Sequence, residues 1–416
     1  MARIAVIALG VSVSLVLAGC SVSRPFPTPT STPTASDAVE ALGDGVLRIG
    51  TLFPMSGDVA SIGPGMVAAV EIAVRDINAA GGVLGQPVEA VYRDSGDAAQ
   101  TQLESAFADL VARGIDVVIG PTDSTLAERL SPLATDAGVT MIAPATPLST
   151  PAERVFSLIA SADQQADAII GAIADEGGES VTIITPGDAA GQSFERAARA
   201  ALESRGMRLA GIEQLDGATT PSRLAFSVAG GKPDAVILAS SAALAAQNQA
   251  VIAALADRGV TGDQLWMTAP ALADYSTTVA AGLMEGARGV REGAPTSDDL
   301  FVRLRQSDPA LLSAPFASET YDAVVLAALA AQLAGDDSGH SVAAHLREAA
   351  LGGVPCASFG ECMEVLASEP DGDYEGVSGP VSLSEQGGVA DGALSLYRYN
   401  AENRAELVGP LSAPGR

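Results

Sequence analysis

The chain predicts a two-lobed α/β protein built on parallel sheets, and three observations lead there. Short apolar runs rich in branched residues alternate strictly with stretches of helical spacing, the pattern of strands joined by crossover helices. The alternation ends and then restarts near Ser161-Ala162-Asp163-Gln164-Gln165. About 370 residues follow the N-terminal segments, more than one hydrophobic core usually serves.

Taken in order, the chain opens with Arg3 and an apolar run from Ile4 to Leu17, short of the roughly 20 residues of a spanning helix and suited to a secretory signal. The run ends Leu17-Ala18-Gly19-Cys20, which resembles a bacterial lipobox, where Cys20 is acylated and becomes the new N-terminus. Residues 1–20 are therefore expected to be a signal peptide, and the protein to be anchored extracytoplasmically on the cell membrane by lipidated Cys20. Residues 21–44 are rich in Pro, Thr and Ser and too poor in apolar side chains to order themselves, so they read as a tether.

Val46 to Phe53 predicts the first buried strand, and Pro54-Met55-Ser56-Gly57-Asp58 the turn beyond it. Met66, Val70, Ala73, Val74 and Ile77 recur at helical spacing up to Gly81-Gly82, and Val88 to Tyr92 forms a second strand closing on Arg93-Asp94. Two strands flanking one helix make a right-handed parallel crossover. A helix over Thr101 to Arg113, a strand Ile115 to Ile119, the loop Gly120-Pro121-Thr122-Asp123-Ser124-Thr125, a further helix and a strand Val139 to Ala143 continue the lobe. The second series runs Val181 to Thr185, a helix Phe194 to Arg205, Leu209 to Ile212, a helix begun by Thr220-Pro221, Ala235 to Ala239, a helix ending at Gly259, and Leu265 to Thr268. Helices follow around Leu300 to Gln306, Tyr321 to Leu333 and Val342 to Ala349.

The wording of the first unit is specific. Gly50-Thr51-Leu52-Phe53-Pro54-Met55-Ser56-Gly57, then Ala60 and Gly63, then Ile77-Asn78-Ala79-Ala80-Gly81-Gly82-Val83-Leu84-Gly85, then Asp94, resembles the opening of the leucine/isoleucine/valine-binding family of type I periplasmic binding proteins. Tyr321-Asp322-Ala323-Val324 resembles that family's late helix, and Gly376-Val377-Ser378-Gly379-Pro380 with Gln386-Gly387-Gly388 its closing hairpin segment. The resemblance implies two Rossmann-like lobes joined by a hinge, with the late helices returning to the first lobe. Lobe one is then expected to hold residues 45–158 and 290–375, and lobe two residues 159–289 and 376–412.

With 50 acidic against 23 basic residues and a net charge of -27, the body is a poor partner for nucleic acid. Catalysis is poorly provided for: there are two His, and no Gly-x-Ser-x-Gly or His-Glu-x-x-His motif. Gly63-Pro64-Gly65 lacks the form of a phosphate loop, so no cofactor is expected. Once Cys20 is assigned, Cys356 and Cys362 are most simply a disulfide in an exported chain. Two sulfurs are not a zinc site and His340 and His345 stand five positions apart, so no metal is expected.

Binding residues come from the end of the strand at Ile119, where Ser124 and Thr125 stand at a helix N-terminus suited to an anionic group. In the family the hydroxyl residue of the matching Gly-Pro-x-Asn-Ser-Ser loop holds the amino-acid ligand. Thr125 with Glu128 three residues on equally reads as a capping box. Ala143-Pro144-Ala145-Thr146-Pro147 resembles the family's Ser-Pro-x-Ala-Thr loop, one residue short, so the resemblance implies ligand contact at Ala145 and Thr146. Ile62 occupies a position that is often aromatic. Ala189-Ala190-Gly191 and Ser240-Ser241-Ala242 stand where the second lobe usually offers aromatics, leaving Ser241 as the candidate there. The usual acid would fall near Thr268 or Ala269; Asp274 and Tyr275 are the candidates to replace it. The expected protein is a monomeric solute-binding lipoprotein that takes an amino acid or related carboxylate and presents it to an ABC permease. A ligand sensor acting on a partner protein, and a hydrolase on the same scaffold, remain open.

Overall fold

The computed structural model describes residues 43–57, 59–97, 100–144, 152–216, 218–240, 244–369 and 371–411. Cys20 and all but the last two residues of the expected tether lie outside them. The first sheet carries β1 (Arg48–Phe53), β2 (Glu89–Asp94), β3 (Val117–Ile119), β4 (Thr140–Ala143) and β5 (Val155–Ser157), all parallel, in the order β2-β1-β3-β4-β5. They are joined by α1 (Gly63–Ala79), α2 (Leu103–Ala112) and α3 (Ser124–Ala137). Side chains alternate between two cores. Ile49, Val117, Ile119 and Ile142 face one, Leu52, Val118, Met141 and Ala143 the other, as a sheet covered on both faces requires.

The second lobe repeats the plan. After α4 (Ala162–Asp175) come β6 (Ser180–Thr185), α5 (Ala189–Ser204), β7 (Arg208–Gln214), α6 (Pro221–Gly231), β8 (Ala235–Leu238), α7 (Ala245–Ala256), β9 (Leu265–Thr268) and β10 (Arg288–Glu292). Their order β7-β6-β8-β9-β10 is that of the first sheet. Ser161 opens α4 with a reciprocal capping box to Gln164, which is why the pattern restarts there. Ala189 starts α5 five residues earlier than the apolar spacing from Phe194 indicates, because Asp188 caps it by accepting from Gly191 N.

The chain then returns through α8 (Asp298–Ser307), α9 (Ala317–Ala334), α10 (Gly339–His345), β11 (Val354–Cys356), α11 (Phe359–Leu366), β12 (Gly372–Gly376) and β13 (Gly379–Pro380). Leu300, Leu304, Tyr321, Ala323 to Ala331 and Val342 share one core with Leu47, Ile49 and Met66. A helix buried on every face from Ala317 to Ala331 explains the continuous apolar run. Cys356 and Cys362 form a disulfide between β11 and α11.

Three details differ from the sequence reading. The second sheet is mixed, because β14 (Leu394–Tyr399) lies antiparallel to β10 and forms a hairpin with β15 (Ala405–Pro410). Val290 to Glu292 still belong to that sheet, so the return to lobe one starts at Gly293 and not at 290. Residues 376–389 stay with lobe one, where Val381, Leu383 and Val389 pack on its core, so the final crossing comes after Val389.

The crossings are bound to one another. Ser157 N donates to Gly387 O at 2.8 Å, Gln164 Nε2 to Ala390 O at 2.5 Å, and Gly293 N to Ala393 O at 2.9 Å. Three short segments tied side by side form the hinge.

Candidate functional site

Both sheets change direction at one point, between β1 and β3 in the first lobe and between β6 and β8 in the second. In such sheets the crevice beyond the carboxyl ends of those strands is where small ligands sit. The chain leaving β1 and β3 forms the loops 54–62 and 120–123, which feed α1 and α3, so two helix N-termini with their positive partial charge open at that edge.

The loop after β1 is held by the end of β2. Met55 N donates to Asp94 Oδ1 at 2.9 Å and Gly96 N to the same oxygen at 2.8 Å. Burial pushes the Asp94 carboxyl up, but hydrogen bonds from Ser56, the Gly96 and Met55 N–H groups and Gln102 outweigh it and hold the group below the usual carboxylate range. Ser56 also donates to Gln100 Oε1 and accepts from Gln102 Nε2. Ile62, in the position before α1, packs half-buried on the first core, leaving it an apolar wall beside the opening.

At α3 the capping box expected of Thr125 and Glu128 is not formed. Asp123 is the cap, its Oδ1 accepting from Leu126 N at 3.0 Å. An Asp carboxylate is a better acceptor than a Thr hydroxyl and stands at the position before the helix, so it takes the role. Ser124 and Thr125 become the first two helical residues, Ser124 half-buried and Thr125 exposed. Ala145, Thr146 and Ser241 lie outside the described residues.

In the second lobe a polar cluster lines the ends of β8 and β9. Ser240 Oγ donates to Asn248 Oδ1 at 2.8 Å, and Ser240 N donates to Thr268 Oγ1 at 3.4 Å. Asn248 and Thr268 are buried. Asn248 escapes a motif search, yet it shares the inner face of α7 with Val251, Ile252 and Leu255, and an Asn at that spacing on an apolar face was the available signal.

Asp274 does not join this edge, whereas the Tyr275 hydroxyl reaches Asn248 of the cluster. Tyr275 is buried in the second core, its hydroxyl donating to Ala271 O at 2.8 Å, and burial pushes that hydroxyl up to about 12 against the opposing hydrogen bond with the Asn248 side chain. Tyr275 N donates to Asn403 O, and the exposed Asp274 pairs with Arg404 at 3.6 Å. Those partners lie in the β14–β15 turn. Since Arg398 faces Arg288, and Arg288 faces Trp266, that turn sits at the amino ends of the parallel strands. Asp274, six positions past β9, is thus carried to that turn by the chain's return to β10, while the Tyr275 side chain reaches back to Ala271 and Asn248. Among the described residues no group of three His, Cys, Asp or Glu is placed to hold a metal ion.

Comparison with known proteins fits this geometry. The family described as periplasmic binding protein matches residues 46–404. The Leu/Ile/Val-binding protein BraC3 of Rhizobium johnstonii is 31% identical over 206 residues, which are 48% of this chain and 54% of that protein. The chain thus spans about half the length of that curated relative. Among solved structures, the branched-chain amino acid transporter substrate binding protein LivJ of Streptococcus pneumoniae, in complex with isoleucine, superposes with a TM-score of 0.65 at 18% identity, covering 88% of this chain and 100% of LivJ. A solute binding protein of an ABC transporter from Rhodopseudomonas palustris, in complex with p-hydroxybenzoic acid, gives 0.67 at 16% identity, covering 89% and 98%.

Proposed function

We propose, because this chain belongs to the periplasmic binding protein family, that it is the extracytoplasmic solute-binding component of an ABC importer and takes a small carboxylate-bearing metabolite, an amino acid first of all, between its lobes. The observation that carries the reading is the N-terminus of α3 at the point where the first sheet changes direction, with Asp123 committed to capping and Ser124 and Thr125 next in line. The ligands of the two solved relatives, isoleucine and p-hydroxybenzoic acid, differ in every part except the carboxylate. A helix N-terminus is suited to that shared group. In this reading lobe one grips the carboxylate, Ala145 and Thr146 extend the grip, and Ser241 with the Ser240, Asn248 and Thr268 cluster meets the remainder of the ligand. Hinge closure then presents the loaded form, as a monomer, to a membrane permease.

A thermal-shift screen of amino acids and aromatic acids identifies the ligand, since one that binds only the native state raises apparent stability. Calorimetry with that compound should then show Ser124→Ala weakening binding by roughly 1–3 kcal/mol, the cost of leaving a charged group one hydrogen bond short. Undiminished affinity in Ser124→Ala would put the carboxylate elsewhere.

Anchoring is the second part of the proposal. With Cys20 acylated, Cys20→Ser should move the protein from the membrane fraction to the soluble one. Intact mass decides the point: a free thiol at Cys20 in membrane-extracted protein rules the lipid out.

A further inference from the structure

The middle crossing of the hinge is held from both lobes by acidic side chains. Glu292, the last residue of β10, accepts from Gln165 Nε2 on α4 at 2.7 Å, which fastens it to the second lobe. Two residues on, Ala294 N donates to Glu319 Oε1 at 2.5 Å, and Glu319 belongs to the first turn of α9, deep in the first lobe. Gly293 lies between the two anchors. Its φ of 97° is a conformation that side chains rarely adopt, and a Cβ there would stand 3.1 Å from Glu319 Oε1. It also donates to Ala393 O and accepts from Ser395 Oγ, so the third crossing is fixed to the same residue. Rotation at Gly293 moves one anchor relative to the other.

Glu319 is 1% exposed, and its Oε2 has no hydrogen-bond partner among the described residues. An ionised carboxylate in that place is a buried charge with a single partner, which costs far more than the neutral acid. We propose that Glu319 is a proton-operated clamp on the hinge: neutral, it keeps Ala294 and the two lobes in the arrangement seen here, and ionised, it favours rotation about Gly293 that opens the crossing to water.

Burial pushes the Glu319 carboxyl up to about 7 against the opposing Ala294 N–H, and Asp322 on the same helix adds to the rise. The charged groups on the surrounding elements do not reverse this. On β10, Glu292 is itself raised by burial, with Arg291 opposing. On α1, Asp76 is paired with Arg303 and accepts from Tyr321, and on β12 Tyr374 donates to Asp322. Since the acid's folded value lies above its ordinary one, the clamp holds at pH below about 7 and is lost as pH rises through it.

The inference rests on reading the two lobes as halves of a closing cleft, but its test needs no ligand, so it can fail without the proposed function failing. Small-angle X-ray scattering of the ligand-free full chain, titrated across pH 7, should show the radius of gyration rising with pH. Glu319→Gln should stay at the acid value throughout. Asp116, which burial also pushes up to about 7, lies at the other end of the first sheet, so Asp116→Asn should still show the wild-type transition. A wild-type radius indifferent to pH, or a Glu319→Gln variant that titrates like wild type, overturns the proposal. If circular dichroism shows Glu319→Gln unfolded, hydrogen exchange at the wild-type Ala294 amide, corrected for its intrinsic pH dependence, reads the same equilibrium. Loss of protection above neutrality supports the clamp and constant protection refutes it.

Discussion

Asp322→Ala is expected to destabilise the first lobe by roughly 3–5 kcal/mol, because one buried carboxylate satisfies four donors at once and each buried donor left unpaired costs about 1–3 kcal/mol, less than additively. Tyr374 Oη donates to Oδ1 at 2.7 Å and Val377 N to the same oxygen at 2.9 Å, while Ser378 N and Ser378 Oγ donate to Oδ2 at 2.8 and 2.5 Å. Tyr374 is fully buried and Asp322 itself is 0% exposed, so water cannot replace the lost acceptor without disrupting the core. Burial pushes the Asp322 carboxyl up, and the four donors oppose that rise. Asp322→Asn keeps one good acceptor and should lose about half as much. Urea unfolding gives the answer as a lowered midpoint at unchanged slope. A loss below about 1 kcal/mol for the Ala variant would mean that the network contributes little.

The same bonds explain why the family was legible in the sequence. Tyr321-Asp322 and Gly376-Val377-Ser378 stand more than fifty positions apart, yet they are two sides of one buried contact. Asn78, in the Ile-Asn-Ala-Ala-Gly-Gly stretch, donates through Nδ2 to Val88 O and accepts from Val88 N, fixing the return from α1 to β2. Asp94 accepts from Met55 N, which joins the strand ending in Asp to the Pro-Met-Ser-Gly turn. These residues lock the backbone whatever the ligand is. A fingerprint made of such locks identifies the fold with little ambiguity and leaves the occupant of the cleft open.

Strands and helices were legible where a core face imposed a period, as in the alternation of Val117, Val118 and Ile119 between two cores. Two kinds of feature were not. The β14–β15 hairpin lacks that signal, because β15 is an edge strand with Leu407 and Val408 exposed, so its apolar residues mark no core. The site residues of the second lobe depend on tertiary contact. Nothing in the spacing of Ser240, Asn248 and Thr268 brings them together; β8 and β9 being neighbours does. Counting residues past β9 does not separate Asp274, which pairs with Arg404 at the far turn, from Tyr275, whose hydroxyl reaches Asn248.

Gly120→Ala is the variant expected to couple stability most directly to binding. Gly120 follows β3 with φ of 104°, outside the range in which a side chain is comfortable, and an added Cβ would stand 2.3 Å from Leu52 O on the neighbouring strand. Backbone strain of that kind costs about 1–3 kcal/mol, and forcing an atom into a packed contact costs a similar amount. The strands cannot separate to make room, because Gly120 N donates to Ile142 O at 2.9 Å on the other side. The loop must therefore yield at 121–123, which displaces the Asp123 cap and, with it, Ser124 at the start of α3. Melting should report a loss of roughly 2–5 kcal/mol. Affinity for the identified ligand should fall further than in Ser124→Ala, since the whole helix end moves and not one hydroxyl. A Gly120→Ala protein that melts lower but binds with wild-type affinity would show that the N-terminus of α3 is not where the ligand is held.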